Sequence, residues 1–389
     1  MPLKIGIIGV GYAGFDSMTP GLSTRELMFE AASRAYADAG INPRKDVQSF
    51  VCCTEDFWEG ISITDEYMPD QLGAVLRPLC TVSSDGLVGV ATACMHIASG
   101  LADVAVVESH SKMSDVVTPS EIVSMGFDPT YLRHLNVDPN FVAGLEMSRF
   151  LKETRTKKES TARVAVKNRR NALSNPRGVY GTDLTVKDVL AGRGQNGSES
   201  TTIPDLEISK PSDAGIVLVL ASRKMTRKFG KDRTIWIDGI GWSSDTPWVE
   251  DRDLSRATYT EQSARRAYKM AAIRNPERQF DFAEADDTYA FKELQHLEAL
   301  GIAPRGRAGR MLETGSFDRD GRLPVNASGG SLGVGHLIEA TGLHKMLETV
   351  LQLRGEAGPL QIEDAKRAVV QSWRGIPTGS GAVAVLGAN

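Results

Sequence analysis

Residues 4–10 form an apolar run of the length of one buried strand, leading into Gly9-Val10-Gly11-Tyr12-Ala13-Gly14. Ser23-Thr24-Arg25-Glu26 then has capping-box spacing, with Ser23 able to cap backbone amides and Glu26 to reach back, so a helix is predicted to about Gly40. Apolar residues return at 47–53 as a second strand. Small and apolar residues dominate 87–99, as in a buried helix, and 103–108 and 216–222 read as core strands. A further half begins at Thr234 and ends in an apolar strand over 382–386. Between the halves, residues 115–205 are less regular and rich in Arg, Asn and Gly, where an inserted lid or binding region would fall.

The two halves repeat one pattern. Ala32, Arg34, Ala35, Tyr36, Ala39, Ile41 and Phe50 recur as Ala264, Arg266, Ala267, Tyr268, Ala271, Ile273 and Phe282, an offset of 232 that also sets Ile5 on Ile237 and Gly9 on Gly241. A repeat this long gives two units and not a solenoid. Two copies of one open-sheet unit can pack into a single pseudo-symmetric α/β body with a cleft between them. The expected division is 1–233 and 234–389, with the insertion at about 115–205 in the first half. The spacing of Gly9, Gly11 and Gly14 matches a dinucleotide fingerprint, but that chemistry needs a helix opening directly from the glycine turn. Here the helix waits until Ser23, and a tight structural turn is the better reading.

Composition narrows the function classes. A formal charge of −4 over 389 residues gives no general attraction to nucleic acid or to an anionic membrane. The run Lys167-Asn168-Arg169-Arg170 reads as a solvated helix face. No apolar stretch reaches spanning length, and the N-terminus lacks the layout of a signal peptide, so a cytoplasmic location is expected. Cys52, Cys53, Cys80 and Cys94 are too few for a disulfide framework, and none has zinc-type pairing with histidine. No metal site is expected.

Several motifs carry a resemblance. Asn326-Ala327-Ser328-Gly329-Gly330, Gly335-His336 and Glu339-Ala340-Thr341-Gly342 resemble the thiolase signature N-x-G-G…G-H-P-x-G-A-T-G, with Leu337 in place of the proline. Ser212-Asp213-Ala214-Gly215, Lys167-Asn168…Asn175-Pro176 and the run from Ala98 to Asp115 extend the likeness to sterol carrier protein X-type and archaeal thiolases over the whole chain. The resemblance implies a layered αβαβα thiolase fold and carbon–carbon chemistry next to a CoA thioester. It also implies no cofactor held by the chain, coenzyme A as a substrate or product moiety, a homodimer formed through the first half, and a small OB-fold zinc-ribbon partner subunit.

The family's roles fall on particular residues. His336 takes the place of the G-H histidine. Counting back from Gly100 puts Ser83 where the family has its acylated cysteine, and a serine hydroxyl is a much weaker nucleophile than a thiolate. Cys80 and Cys94 read as inert buried thiols. Asp286 stands where relatives carry a catalytic histidine, and partial burial would raise its pKa towards neutrality. Asp287 is expected to cap the helix containing Glu293. Gly335, Gly379 and Gly381 are the loop glycines that would present amides to an oxyanion, while Asn326, Arg374 and Tyr289 are the substrate-binding candidates. His296 and His344 are expected on helices near the surface.

Loss of the cysteine with retention of the histidine and glycine scaffold resembles the thiolase-like steroid side-chain aldolases, which cleave β-hydroxyacyl-CoA without an acyl-enzyme. Two alternatives stand beside that reading. One is a thiolase or acyltransferase acting on a branched or aromatic β-oxoacyl-CoA, and the other a scaffold subunit without chemistry of its own.

Overall fold

A computed structural model describes residues 3–56, 63–116, 118–135, 137–192 and 203–388. The first half contributes β1 (Ile5–Asp16), α1 (Thr24–Ala39), β2 (Ser49–Cys53), β3 (Leu79–Val82), α2 (Gly86–Ala98), β4 (Val104–Lys112) and β5 (Asp213–Ser222). Its insertion carries α3 (Pro139–Thr154) and α4 (Lys158–Ala172), two helices where the sequence pattern shows no period. The second half contributes β6 (Ile235–Ser244), α5 (Thr258–Ala271), β7 (Phe282–Glu284), α6 (Ala290–Ala299), α7 (Gly330–Val334), α8 (Thr341–Arg354), β8 (Arg367–Trp373) and β9 (Ser380–Gly387).

The strands run in the order β3-β2-β4-β5-β1-β6-β9-β8-β7. Each half has the same pairing: β2 beside β4 and β7 beside β8 are parallel, and β4–β5, β8–β9, β5–β1 and β9–β6 are antiparallel. Where β3 runs parallel to β2, the second half has a single parallel bridge from Val325 to Ala283. The apolar clusters define the layers. One lies between α1 and the first half's sheet. The second, containing Leu87, Val90, Leu343 and Leu347 of α2 and α8, packs these two helices against strands of both halves of the sheet. The third packs α3–α6 on the far side. This is the layered, duplicated α/β arrangement that the motifs imply.

Helix α1 begins as expected. Glu26 accepts from the Ser23 amide at 2.9 Å, and Gly40 closes the helix in the left-handed region at φ 65°. The glycines of residues 9–14 do not make a turn. They lie inside β1, because a Cβ on Gly9 or Gly11 would collide with the backbone of Ala35 or Ala31 in α1. Gly239 and Gly241 do the same against Ala267 and Ser263 of α5. The strand equivalence is therefore Gly9 with Gly239 and Gly11 with Gly241, two residues short of the helix offset. The cross-strand pairing agrees: Gly6 faces Trp236, and Ile5 and Ile7 face Ile237 and Ile235, so the pseudo-twofold passes through the Gly6–Trp236 pair.

Candidate active site

The end of β7 and the turn after it carry three acids, Glu284, Asp286 and Asp287, and all are buried. Asp287 does not cap α6, whose N-cap is Tyr289. It faces the start of α7, accepting from the amides of Ser331 at 2.6 Å and Leu332 at 3.1 Å and from Asn168 Nδ2 at 2.7 Å. The Gly329-Gly330 pair lets this helix begin so close, since a Cβ on Gly330 would meet the Asp287 carboxylate. Lys345 Nζ on α8 adds a buried ion pair to Asp287 at 3.4 Å.

Asp286 is fully buried. Its Oδ1 accepts from the Thr288 amide at 3.0 Å and its own amide donates to Gln371 Oε1 at 2.8 Å, while Oδ2 has no partner. Burial raises the carboxyl to about 6, with Lys345 pulling down and Asp287 pushing up. Asp85, the N-cap of α2, lies near enough to feel Asp286. Its two oxygens accept from Leu87 N at the start of α2 and from Gly342 N at the start of α8, both at 2.9 Å. One carboxylate thus holds the N-termini of the two central helices, one from each half, and burial raises it to about 7.

His336 emerges from the α7–α8 connection. Its backbone pairs with the segment before β5, donating to Lys210 O at 2.7 Å and accepting from Ser212 N at 3.1 Å. Gly335 permits this approach at φ 114°, since a Cβ there would collide with Ser212 Oγ. The imidazole Nδ1 is buried without a partner, and burial, then Lys345, lower its pKa to about 4, so the ring is neutral at physiological pH. Ser209, Ser212, Thr288, Ser331 and Ser372 also have buried hydroxyl oxygens without a partner.

Ser83 is exposed after β3, and its hydroxyl meets Arg374 Nη2 at 3.5 Å; Arg374 is in turn ion-paired with Glu55. Among the described residues no hydrogen bond joins Ser83 to His336. The cysteines offer no substitute nucleophile. Cys52, Cys53 and Cys94 are buried, Cys80 half-buried, and desolvation raises all four thiols above their ordinary range.

The remaining candidates have other positions. Asn326 is fully buried, its Oδ1 accepting from Ala285 N at 2.9 Å and its Nδ2 donating to Glu293 at 2.7 Å, so its amide tethers the turn and does not face a ligand. Tyr289 is buried beside Trp373 and donates to Asn140 at 3.0 Å. The Gly335 amide already donates to Ser331 O, Gly379 O accepts from Asp245 N, and Gly381 is strand-paired on both sides. Of the Lys167–Arg170 run only Arg170 is exposed. Lys167 and Asn168 face inward to Glu293, at 3.3 Å and 2.7 Å, because α4 packs the insertion against α6. His296 and His344 are likewise buried and not near the surface. His296 bridges Asp286 O at 2.9 Å and Tyr259 at 2.8 Å, and His344 lies beside Glu348. Asp85, Lys345 and Ser372 went unread as site residues. Asp85 had a signal, an acid directly before an apolar helical run.

A family model described as "Thiolase C-terminal domain-like" matches residues 241–388. An acetyl-CoA acetyltransferase of Methanothermobacter thermautotrophicus is 29% identical over 374 residues, covering 93% of this chain and 94% of that protein. Sterol carrier protein 2 of Bos taurus is 26% identical over 388 residues, covering 94% and 69%. Among solved structures, an Ltp2-ChsH2(DUF35) aldolase superposes with a TM-score of 0.84 at 24% identity, over 100% of this chain and 98% of that one. The fold is that of the thiolases, and the second half of the chain matches the thiolase C-terminal family.

Among the described residues no cluster of three His, Cys, Asp or Glu is arranged to hold a metal, and no helix is long and apolar enough to cross a membrane.

Proposed function

We propose that this protein cleaves or forms the Cα–Cβ bond of a β-hydroxyacyl-CoA by an aldol-type route without an acyl-enzyme. The observation that carries the reading is the nucleophile position. It holds Ser83, bonded to Arg374 and not to an imidazole, while three of the four cysteines are buried and burial raises all four thiols above their ordinary range.

In the cleaving direction a base takes the β-hydroxyl proton, the carbonyl of the departing fragment forms, and the Cα–Cβ electron pair moves into the thioester as an enolate. Protonation at Cα completes the reaction. Asp286, ionised near neutrality with one free oxygen, is the proposed base; neutral His336 is the proposed donor to the enolate. Arg374 and Ser83 at the rim suit polar atoms of the acyl group. A homodimer through the first half, a small OB-fold zinc-ribbon subunit, the division at 233/234 and a cytoplasmic location are proposed with it.

The test is turnover of a panel of CoA thioesters with and without free CoA. Aldol cleavage of β-hydroxyacyl-CoA proceeds without added CoA. Strict dependence on CoA with a β-oxoacyl substrate would return the protein to the thiolases proper, and no turnover of any thioester would leave the scaffold reading.

A further inference from the structure

Asp286 has both of its backbone polar groups held by side chains from other elements. Its amide donates to Gln371 Oε1 of β8 at 2.8 Å, and its carbonyl accepts from His296 Nδ1 of α6 at 2.9 Å. A carbonyl can only accept, so Nδ1 carries the proton. Burial keeps the ring neutral, and Nε2 therefore accepts from the Tyr259 hydroxyl at 2.8 Å. Gln371 Nε2 donates in turn to Thr260 Oγ1 at 3.2 Å and to Ser372 O at 2.9 Å. Both side chains are thus braced on consecutive residues, Tyr259 and Thr260, in the first turn of α5. All of these residues are buried, where a hydrogen bond is stronger than at the surface.

The neighbouring acid is held in the opposite way. Asp287 is gripped by its carboxylate, which accepts from the Ser331 and Leu332 amides and from Asn168. Asp286 is gripped by its peptide groups, and its carboxylate receives only the Thr288 amide from within the same turn, with Oδ2 left over. The place of that oxygen is therefore set through the backbone. Resting on the function proposed above, we infer that His296 and Gln371 are positioning residues: together they clamp the peptide groups of Asp286 so that its free carboxylate oxygen is held at one place in the cleft.

Any buried peptide group needs partners, and a double-mutant cycle separates positioning from that general need. His296→Leu and His296→Asn are each made in wild type and in Asp286→Asn. Asn keeps a donor for the Asp286 carbonyl, and Leu does not. In wild type, His296→Leu should lower kcat by about 10–10² with KM unchanged, and His296→Asn should restore most of the loss. In Asp286→Asn, where the carboxylate is gone, His296→Leu should cost nothing further. Gln371→Met, which removes the acceptor for the Asp286 amide, should behave in the same way. A merely structural residue would cost the same factor in both backgrounds, and that result would overturn the inference. If the buried replacements do not fold, Tyr259→Phe carries the cycle, since it removes only the brace on His296 Nε2. Hydrogen–deuterium exchange of residues 283–290 needs no substrate. It should quicken in the folded variants while the rest of the second half is unchanged, and unaltered exchange there contradicts the clamp. A failure of the proposed reaction is seen separately, as no turnover of any thioester or as full turnover by Asp286→Asn, with exchange still faster in the variants.

Discussion

Replacing Asp286 by asparagine should make the protein more stable and less active, and the size of the first effect follows from its surroundings. Asn keeps an oxygen to accept from the Thr288 amide, and its Nδ2 replaces the Oδ2 that has no partner. The substitution thus resembles the protonated acid. Burial raises the carboxyl from an ordinary 3.8 to about 6. A raised acid binds more protons folded than unfolded between those two values, so stability falls as pH rises through that window and the penalty is complete above it. The gap corresponds to about 3 kcal/mol at pH 8 and to roughly half that at pH 5. For a chain of 389 residues about 3 kcal/mol raises Tm by roughly 3–4 °C. Paired thermal or urea melts of wild type and Asp286→Asn at pH 5 and pH 8 measure both the gain and its growth with pH. Turnover in the same variant should fall by about 10²–10⁴ through loss of the base. A variant that is destabilised equally at both pH values would show that Asp286 is a structural anion and refute the reasoning.

His336→Ala should lower kcat by about 10²–10³ through loss of one enolate donor, with secondary structure unchanged by circular dichroism. Ser83→Ala should change kcat/KM only mildly, and mass spectrometry of quenched enzyme should find no acyl adduct on Ser83 or on the four cysteines; an adduct on any of them ends the aldol assignment. Gly335→Ala should lower both stability and turnover, because its Cβ would collide with Ser212 Oγ at a φ of 114°, and a melt close to wild type would contradict that packing.

Much of the architecture was legible because it depends on local rules. The box at Ser23–Glu26 and the apolar runs at β2, β4 and β5 need only propensity and period, and the repeat of α1 in α5 announced the duplication. What failed depended on contacts between elements. Gly9 and Gly11 looked like a turn because only the packed α1 backbone shows why a strand must lack side chains there. Lys167 and Asn168 looked solvated because the acids that bury them, Glu293 and Asp287, lie more than a hundred residues away. Asp287 looked like the cap of the helix that follows it in sequence, but its turn leaves it facing α7 instead.

The candidate site shows the same division. Motifs located His336 and Asp286, but the burial that sets the state of each comes from packing that carries no motif. Lys345 follows His344 in the first turns of α8, and Asp85 stands directly before the apolar run of α2. Through Gly342 the two residues meet at one helix: Asp85 of the first half accepts from that amide, and Lys345 in the helix's first turns pairs with Asp287 of the helix's own half. The first half by itself would leave Asp85 without the Gly342 amide. The duplication therefore does more than enlarge the core. It brings the start of α2 from one half against the start of α8 from the other, and at that meeting an acid with a free oxygen and a neutral histidine can be kept in a dry site.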